Sequence, residues 1–267
     1  MKTRTAWEQV QLARHPKRPT CQLLVQSVFP DFLELHGDQH FKDDPSIVGG
    51  IASLNSIPVT VIYQEKGRTT EEKIKHNFGM PHPEGYHKAL RLAKQAEKFH
   101  RPVLFFIDTP GAYPGIGAEE RGQANAIAKS IQSYFDLKTP IISVILSEGG
   151  SGGALAIGIA DQVWMFENAT YSILSPEGFA SILYKNASLA KEAAEDMKLT
   201  SKDLLKFGMI DKIIEEPEEG LHTSYLATFE LLKTELSTEI EKLRQIQIEE
   251  LLEKRYQRYR KFGQYQG

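Results

Sequence analysis

A chain of 267 residues, 41% apolar and 25% charged, is long enough to bury a sizeable core and too ordinary in composition for a disordered or fibrous class. Its 32 Lys and Arg against 35 Asp and Glu leave a formal charge of -3, which removes the strong electrostatic motive for nucleic-acid binding. Cys21 is the only cysteine, so the chain alone can build neither an intramolecular disulfide nor a multi-cysteine zinc site.

The opening MKTRTAWEQVQLARHP has no apolar stretch of signal-peptide length, and no later run is long and uncharged enough to span a bilayer, so a cytoplasmic protein is expected. No repeat or low-complexity linker divides the chain. The expectation is one domain over 1–267, with a core at about 30–221 and a helical region at about 222–267.

IVGGIASL (47–54) and IPVTVIYQ (57–64) read as strands joined by Asn55 and Ser56. After the polar EKGRTTEEKIKHNFGMPHPEGY, the spacing of Ala89, Leu92, Ala93, Ala96 and Phe99 predicts a helix. PVLFFID (102–108) is a short continuous apolar run, as expected for a strand buried on both faces, and it empties into TPGAYPGIG. Next, Ala124, Ile127, Ala128, Ile131 and Phe135 fall on one helical stripe, with Glu119 and Glu120 in the first turn. The unit then recurs, with TPIISVIL as strand, SEGGSGG as loop and ALAIGIA as the start of a nearly all-apolar helix. Two successive strand-loop-helix units predict an α/β fold with a largely parallel sheet.

QVWMFENATYSIL adds strand, and Phe229, Leu232, Leu236, Ile240 and Leu243 recur at steps of three and four in a helical tail. The basic end, EKRYQRYRKFGQYQG, reads first as a solvated face. Its second reading is phosphate contact with an anionic cofactor, through Arg255, Arg258 and Arg260.

The cluster SEGGSGGALAIG (147–158) matches several glycine motifs unequally. A Walker loop needs Lys and Ser or Thr after its last glycine, where Ala154 and Leu155 stand. A dinucleotide fingerprint needs a small residue at Leu155 and an acidic ribose partner about 20 residues on, which is not obvious. Gly149-Gly150-Ser151-Gly152-Gly153 satisfies the G-x-S-x-G elbow literally, which makes Ser151 a candidate nucleophile and His222, the only later histidine, its base. A bland alternative is a tight turn in which glycines permit close packing. The other reading is an oxyanion hole, because a glycine pair at a helix start presents unobstructed N–H groups to developing negative charge.

EKGRTTEEKIKHNFGMPHPEGYHKALRLAKQAEKF, FIDTPGAYPGIGAEERGQANAIA and SEGGSGGALAIGIADQVWMFENATYSILSPEGFASILYK closely resemble the carboxyltransferase alpha subunits of bacterial-type acetyl-CoA carboxylases. The resemblance runs from about Ala6 to the C-terminus. It implies a crotonase-like (ClpP/crotonase) fold, a spiral of ββα units with a C-terminal helical extension, forming a CoA carboxyltransferase domain. It implies transfer of a carboxyl group from carboxybiotin, held on a biotin carboxyl carrier protein, to acetyl-CoA, giving malonyl-CoA for fatty acid synthesis. It implies a beta-subunit partner in an α2β2 heterotetramer, ATP use on another subunit, and no metal in this chain.

Residue by residue, the family's alpha-subunit oxyanion pair falls on Gly152 and Gly153, with Gly149, Gly150, Pro110, Gly111 and Gly115 expected to shape the substrate cleft. Asp108 and Glu148 are tempting carboxylates, but each stands at a strand end where capping a loop is at least as natural. Family members commonly carry roughly 50 further residues of helix before the equivalent of TAWEQVQLARHP, enough for a coiled-coil arm that this sequence does not contain. A serine hydrolase using Ser151 and a non-catalytic scaffold are the competing expectations.

Overall fold

Asn55 and Ser56 both adopt left-handed backbone, with φ of 46° and 68°, the conformation of a two-residue hairpin turn whose twist matches its strands. The turn joins β2 (Ile47–Leu54) to β3 (Ile57–Gln64), antiparallel and in register from Leu54 opposite Ile57 to Ile47 opposite Gln64. The computed structural model describes residues 4–263, and every structural statement concerns those residues. The remaining strands are β1 (Leu33–Glu34), β4 (Val103–Thr109), β5 (Ile141–Gly150), β6 (Gln162–Phe166), β7 (Thr170–Ser172) and β8 (Lys212–Ile214). They form one sheet in the order β1-β2-β3-β4-β5-β6-β8, with β7 pairing the far end of β5.

Only the edge formed by β1, β2 and β3 is antiparallel; from β3 onward every pair is parallel. All of β4 is buried, which accounts for its unbroken apolar run, since a parallel strand covered on both faces has no solvent side to alternate with. The predicted sheet is thus present, with an antiparallel hairpin at one edge.

Several elements differ from the periodicity. The helix of the 87–99 spacing spans Pro83–Lys98, beginning with a proline whose missing N–H costs nothing in the first turn. The stripe over 118–135 is interrupted, because Gly122 is left-handed at φ 84° between helices Ile116–Glu120 and Gln123–Phe135. The second helix buries Gln123, Ala126, Ser130 and Tyr134, while Ala124 and Ala128 are exposed. Tyr134 sets that rotation: its ring packs against Phe105 of β4 at 5.1 Å, and Gln123 is paid its polarity by donating to the Pro81 and Tyr113 carbonyls. SEGG is strand rather than loop, because Glu148, Gly149 and Gly150 pair with Thr170, Tyr171 and Ser172. The apolar helix after it is only Ser151–Leu155 long; Ser143 Oγ donates to the Ile157 carbonyl just beyond its end.

The C-terminal stripe is buried throughout, in a helix Leu226–Arg244 followed by a second, Ile248–Arg260. The phosphate reading is overturned for Arg255 and Arg258. Arg255 is 1% exposed, binds both Asp161 carboxylate oxygens at 2.8 Å, and donates to the carbonyls of Tyr134, Leu137 and Thr139. Arg258 is committed to Asp211 and to the Met209 carbonyl, which leaves Arg260 exposed beside the Tyr256 ring. These contacts fasten the last helix to the sheet. Arg255→Ala strands a buried carboxylate, so chemical denaturation should show a loss of about 3–5 kcal/mol, against a change within about 0.5 kcal/mol for Arg260→Ala.

Candidate functional site at the ends of two parallel strands

Parallel neighbours end on the same side of a sheet, so the segments leaving β4 and β5 emerge together, with Thr109 opposite Gly149. There they touch. A Cβ at Gly150 would stand 2.1 Å from the Pro110 carbonyl oxygen, and one at Gly153 would stand 2.5 Å from the Gly111 carbonyl carbon. No side chain fits at either position, which gives these glycines a packing reason independent of any chemistry. Gly152 differs, since a Cβ there would meet only Ile127, at an ordinary 3.5 Å.

The structure therefore brings Pro110, Gly111, Gly149, Gly150, Gly152 and Gly153 into one neighbourhood. Gly115 stands apart from that contact: it caps the helix Ile116–Glu120 and its free space is filled by the Tyr113 ring. Gly152 and Gly153 lie in the first turn of Ser151–Leu155, where N–H groups precede any intrahelical acceptor. Ser151 has the left-handed backbone of a sharp turn, φ 49°, and an exposed side chain. Its proposed base is elsewhere, because His222 stacks on His15 with ring centroids 3.8 Å apart, and no histidine hydrogen-bonds Ser151 among the described residues.

Around the glycines runs a polar network that sequence reasoning reached only through Asp108 and Glu148. Lys66 Nζ lies 2.6 Å from Asp108 Oδ1 and 2.7 Å from Glu148 Oε2. Arg14, just past the helix Ala6–Ala13, reaches Glu148 Oε1 and Glu177 Oε1, each at 2.7 Å. Asp108 does cap a backbone group, accepting from Glu148 N–H at 3.2 Å. Burial disfavours the Glu148 charge, but Lys66 and Arg14 outweigh it and hold the carboxyl down at about 2. Glu148 is therefore a bound anion rather than a free base.

Gln64, wholly buried, donates from Nε2 to the Gly153 carbonyl at 2.8 Å and accepts the Asp108 N–H at Oε1 at 3.2 Å. Arg18 donates to the Leu146 carbonyl and Ser147 Oγ and pairs with buried Glu216. A cavity of about 200 Å³ opens between Arg14, Lys66, Asp108, Pro110 and Glu148. One signal for the missed residues was legible: Gln64 ends an apolar strand and Lys66 follows two residues on, both polar where the apolar run stops. Among the described residues, no group of three or more His, Cys, Asp and Glu side chains is placed to hold a metal ion.

A carboxyl held below its usual value stabilises the fold fully above that value, 4.5, and loses its contribution as pH falls toward about 2. Urea denaturation across this window should therefore show a steeper loss of stability for the wild-type chain than for Glu148→Gln.

Residues 1–263 match the family described as acetyl co-enzyme A carboxylase carboxyltransferase-like. A relative from Clostridium acetobutylicum, the acetyl-coenzyme A carboxylase carboxyl transferase subunit alpha, is 54% identical over 261 residues, covering 98% of this chain and 95% of the relative. The protein of the same name from Listeria monocytogenes is 51% identical over 262 residues, covering 98% of this chain and 82% of its own length. Among solved structures, the Pseudomonas malonate decarboxylase MdcD-MdcE heterodimer matches with TM-score 0.65 at 14% identity, covering 86% of this chain and 89% of that one. A transcarboxylase 12S matches with TM-score 0.64 at 19% identity, covering 85% of this chain and 45% of that one. The structural likenesses establish the crotonase-like fold. Sequence match over nearly the whole chain goes further: it belongs to the acetyl-CoA carboxylase carboxyltransferase family, as an alpha subunit.

Proposed function

We propose that this chain supplies the biotin side of carboxyl transfer from carboxybiotin to acetyl-CoA, with the N–H groups of Gly152 and Gly153 as its oxyanion hole. The observation that carries this reading is the contrast between the glycines: Gly150 and Gly153 are closed by the 110–112 backbone, whereas Gly152 has room for a Cβ in ordinary contact with the Ile127 side chain. An uncharged bicyclic ring with one polar oxygen suits such a cradle, apolar on one side and lined by N–H donors on the other. Biotin, delivered on a separate carrier protein, supplies a labile N-carboxyl group, a ureido oxygen that gains negative charge as carbon dioxide leaves, and a ring nitrogen able to take the methyl proton of acetyl-CoA. The chain's own part is electrostatic: each preorganised N–H is worth about 3 kcal/mol toward the developing charge.

No side-chain base is required of this chain. That agrees with the state of Asp108 and Glu148, both held by Lys66. Pro110, Gly111, Gly149 and Gly150 form the wall behind the donors, and Gly115 contributes only to the loop that carries them. The acetyl-CoA enolate is held by a matching hole in the beta subunit, in an α2β2 assembly, with ATP consumed on another subunit of the carboxylase. The compartment in this reading is the cytoplasm; no described helix is long and apolar enough to cross a membrane.

The test mixes the purified chain with its beta subunit and carboxylated biotin carrier protein and follows malonyl-CoA. Transfer should require both subunits, and Ser151→Ala should retain it. Gly152→Val, whose Cβ meets only the Ile127 side chain at an ordinary distance, should lower the rate on the order of 100-fold or more, as expected when a donor is blocked. Wild-type rates from Gly152→Val, or full activity from this chain alone, would overturn the assignment.

A further inference from the structure

The pairing of β4 with β5 breaks at the point where the site begins. Ile107 faces Ile145, but Thr109 faces Gly149, so the register slips across Asp108 and the backbone from Leu146 to Glu148. The ladder between β3 and β4 reaches only Tyr63 opposite Phe106. Asp108 therefore lies beyond one ladder and inside the irregularity of the other, and its buried polar groups need partners from outside the strands.

Those partners come from the end of β3. Gln64 takes the Asp108 N–H on its oxygen and gives its amide hydrogen to the Gly153 carbonyl; the amide orientation follows, since a carbonyl can only accept and an N–H can only donate. Lys66, two residues on, bridges the Asp108 carboxylate to Glu148, and Asp108 in turn accepts the Glu148 N–H. The Gly153 peptide is thus tied to β3 through one wholly buried side chain, and both strand ends are tied to β3 through a second.

We propose that Gln64 and Lys66 are positioning residues for carboxyl transfer, bracing the Gly152–Gly153 donors at the strand irregularity; this rests on the oxyanion assignment made above. The sheet has its own ladders on both sides of the slip, so the strands do not need the brace to form. The brace acts on the segment past the slip, where Gly150 and Gly153 stand so close to Pro110 and Gly111 that no Cβ fits between them. Donor placement within such a site is a matter of fractions of an ångström, and misplacement by about 1 Å costs on the order of 100-fold in rate.

The experiment uses the full chain assembled with its beta subunit, comparing Gln64→Met, Lys66→Met and Lys66→Arg. The two methionine variants should lower kcat at least about tenfold with KM for acetyl-CoA within about twofold, because they disturb groups that act on the transition state rather than on CoA binding. Lys66→Arg, which keeps donors for both carboxylates, should recover most of the loss. Amide hydrogen exchange supplies a readout independent of turnover: protection should fall in residues 150–156 of both methionine variants and stay at the wild-type level in 141–145.

Unchanged kcat in an active complex, unchanged exchange at 150–156, failure of Lys66→Arg to rescue, or loss of protection across 141–145 as well would each overturn the brace. If the wild-type complex makes no malonyl-CoA, the functional reading fails on its own, and the exchange pattern still decides whether Gln64 and Lys66 hold the glycine segment.

Discussion

The site depends on one close approach. Where β4 and β5 end side by side, the backbone of 110–112 lies so near Gly150 and Gly153 that no Cβ fits between them. Parallel pairing of the two strands makes the meeting possible, because both chains leave the sheet on the same side and both must turn there. Glycine makes it tolerable. The 110–112 segment closes one side of the turn, and Gly152 and Gly153, whose N–H groups we propose as the donors, lie in the first helical turn beside it.

Around that contact the charges are arranged to be inert. The buried Asp108 carboxylate and the half-buried Glu148 carboxylate are each met by Lys66, and Glu148 by Arg14 as well, which holds the Glu148 carboxyl low. The proposed backbone donors would benefit from such surroundings, since a free carboxylate beside them would oppose the negative charge assigned to them. The cations come from distant parts of the chain: Arg14 from the N-terminal helix and Lys66 from the end of β3. Arg255 does comparable work far from the glycines, its guanidinium satisfied by Asp161 and three carbonyls and therefore unavailable to a phosphate.

Much of this was legible in the residues. The hairpin at Asn55–Ser56, the fully buried β4, and the apolar stripe from Phe229 to Leu243 follow from local conformational preference and from the period of burial, which neighbouring elements reinforce. The oxyanion role proposed for Gly152 and Gly153 rests on the elimination of the nucleotide loops and on long motifs shared with the carboxyltransferase alpha subunits. Periodicity failed at Gln123–Phe135 because Tyr134 packs on Phe105 of β4 and Gln123 bonds the Pro81 and Tyr113 carbonyls, partners that a helical wheel does not contain. It failed again at Ser147–Gly150, where a glycine-rich stretch reads as loop yet gains strand pairing from β7, twenty residues further on.

What the sequence by itself determined is the set of elements with a repeating pattern and the identity of the residues that omit a side chain, because both are properties of short stretches of chain. What only the tertiary structure decided is the fate of the charges and amides. Asp108, Glu148, Lys66, Gln64, Arg14 and Arg255 each meet partners far away in sequence, and the energy of a buried polar group depends on the partner it finds rather than on its neighbours in the chain.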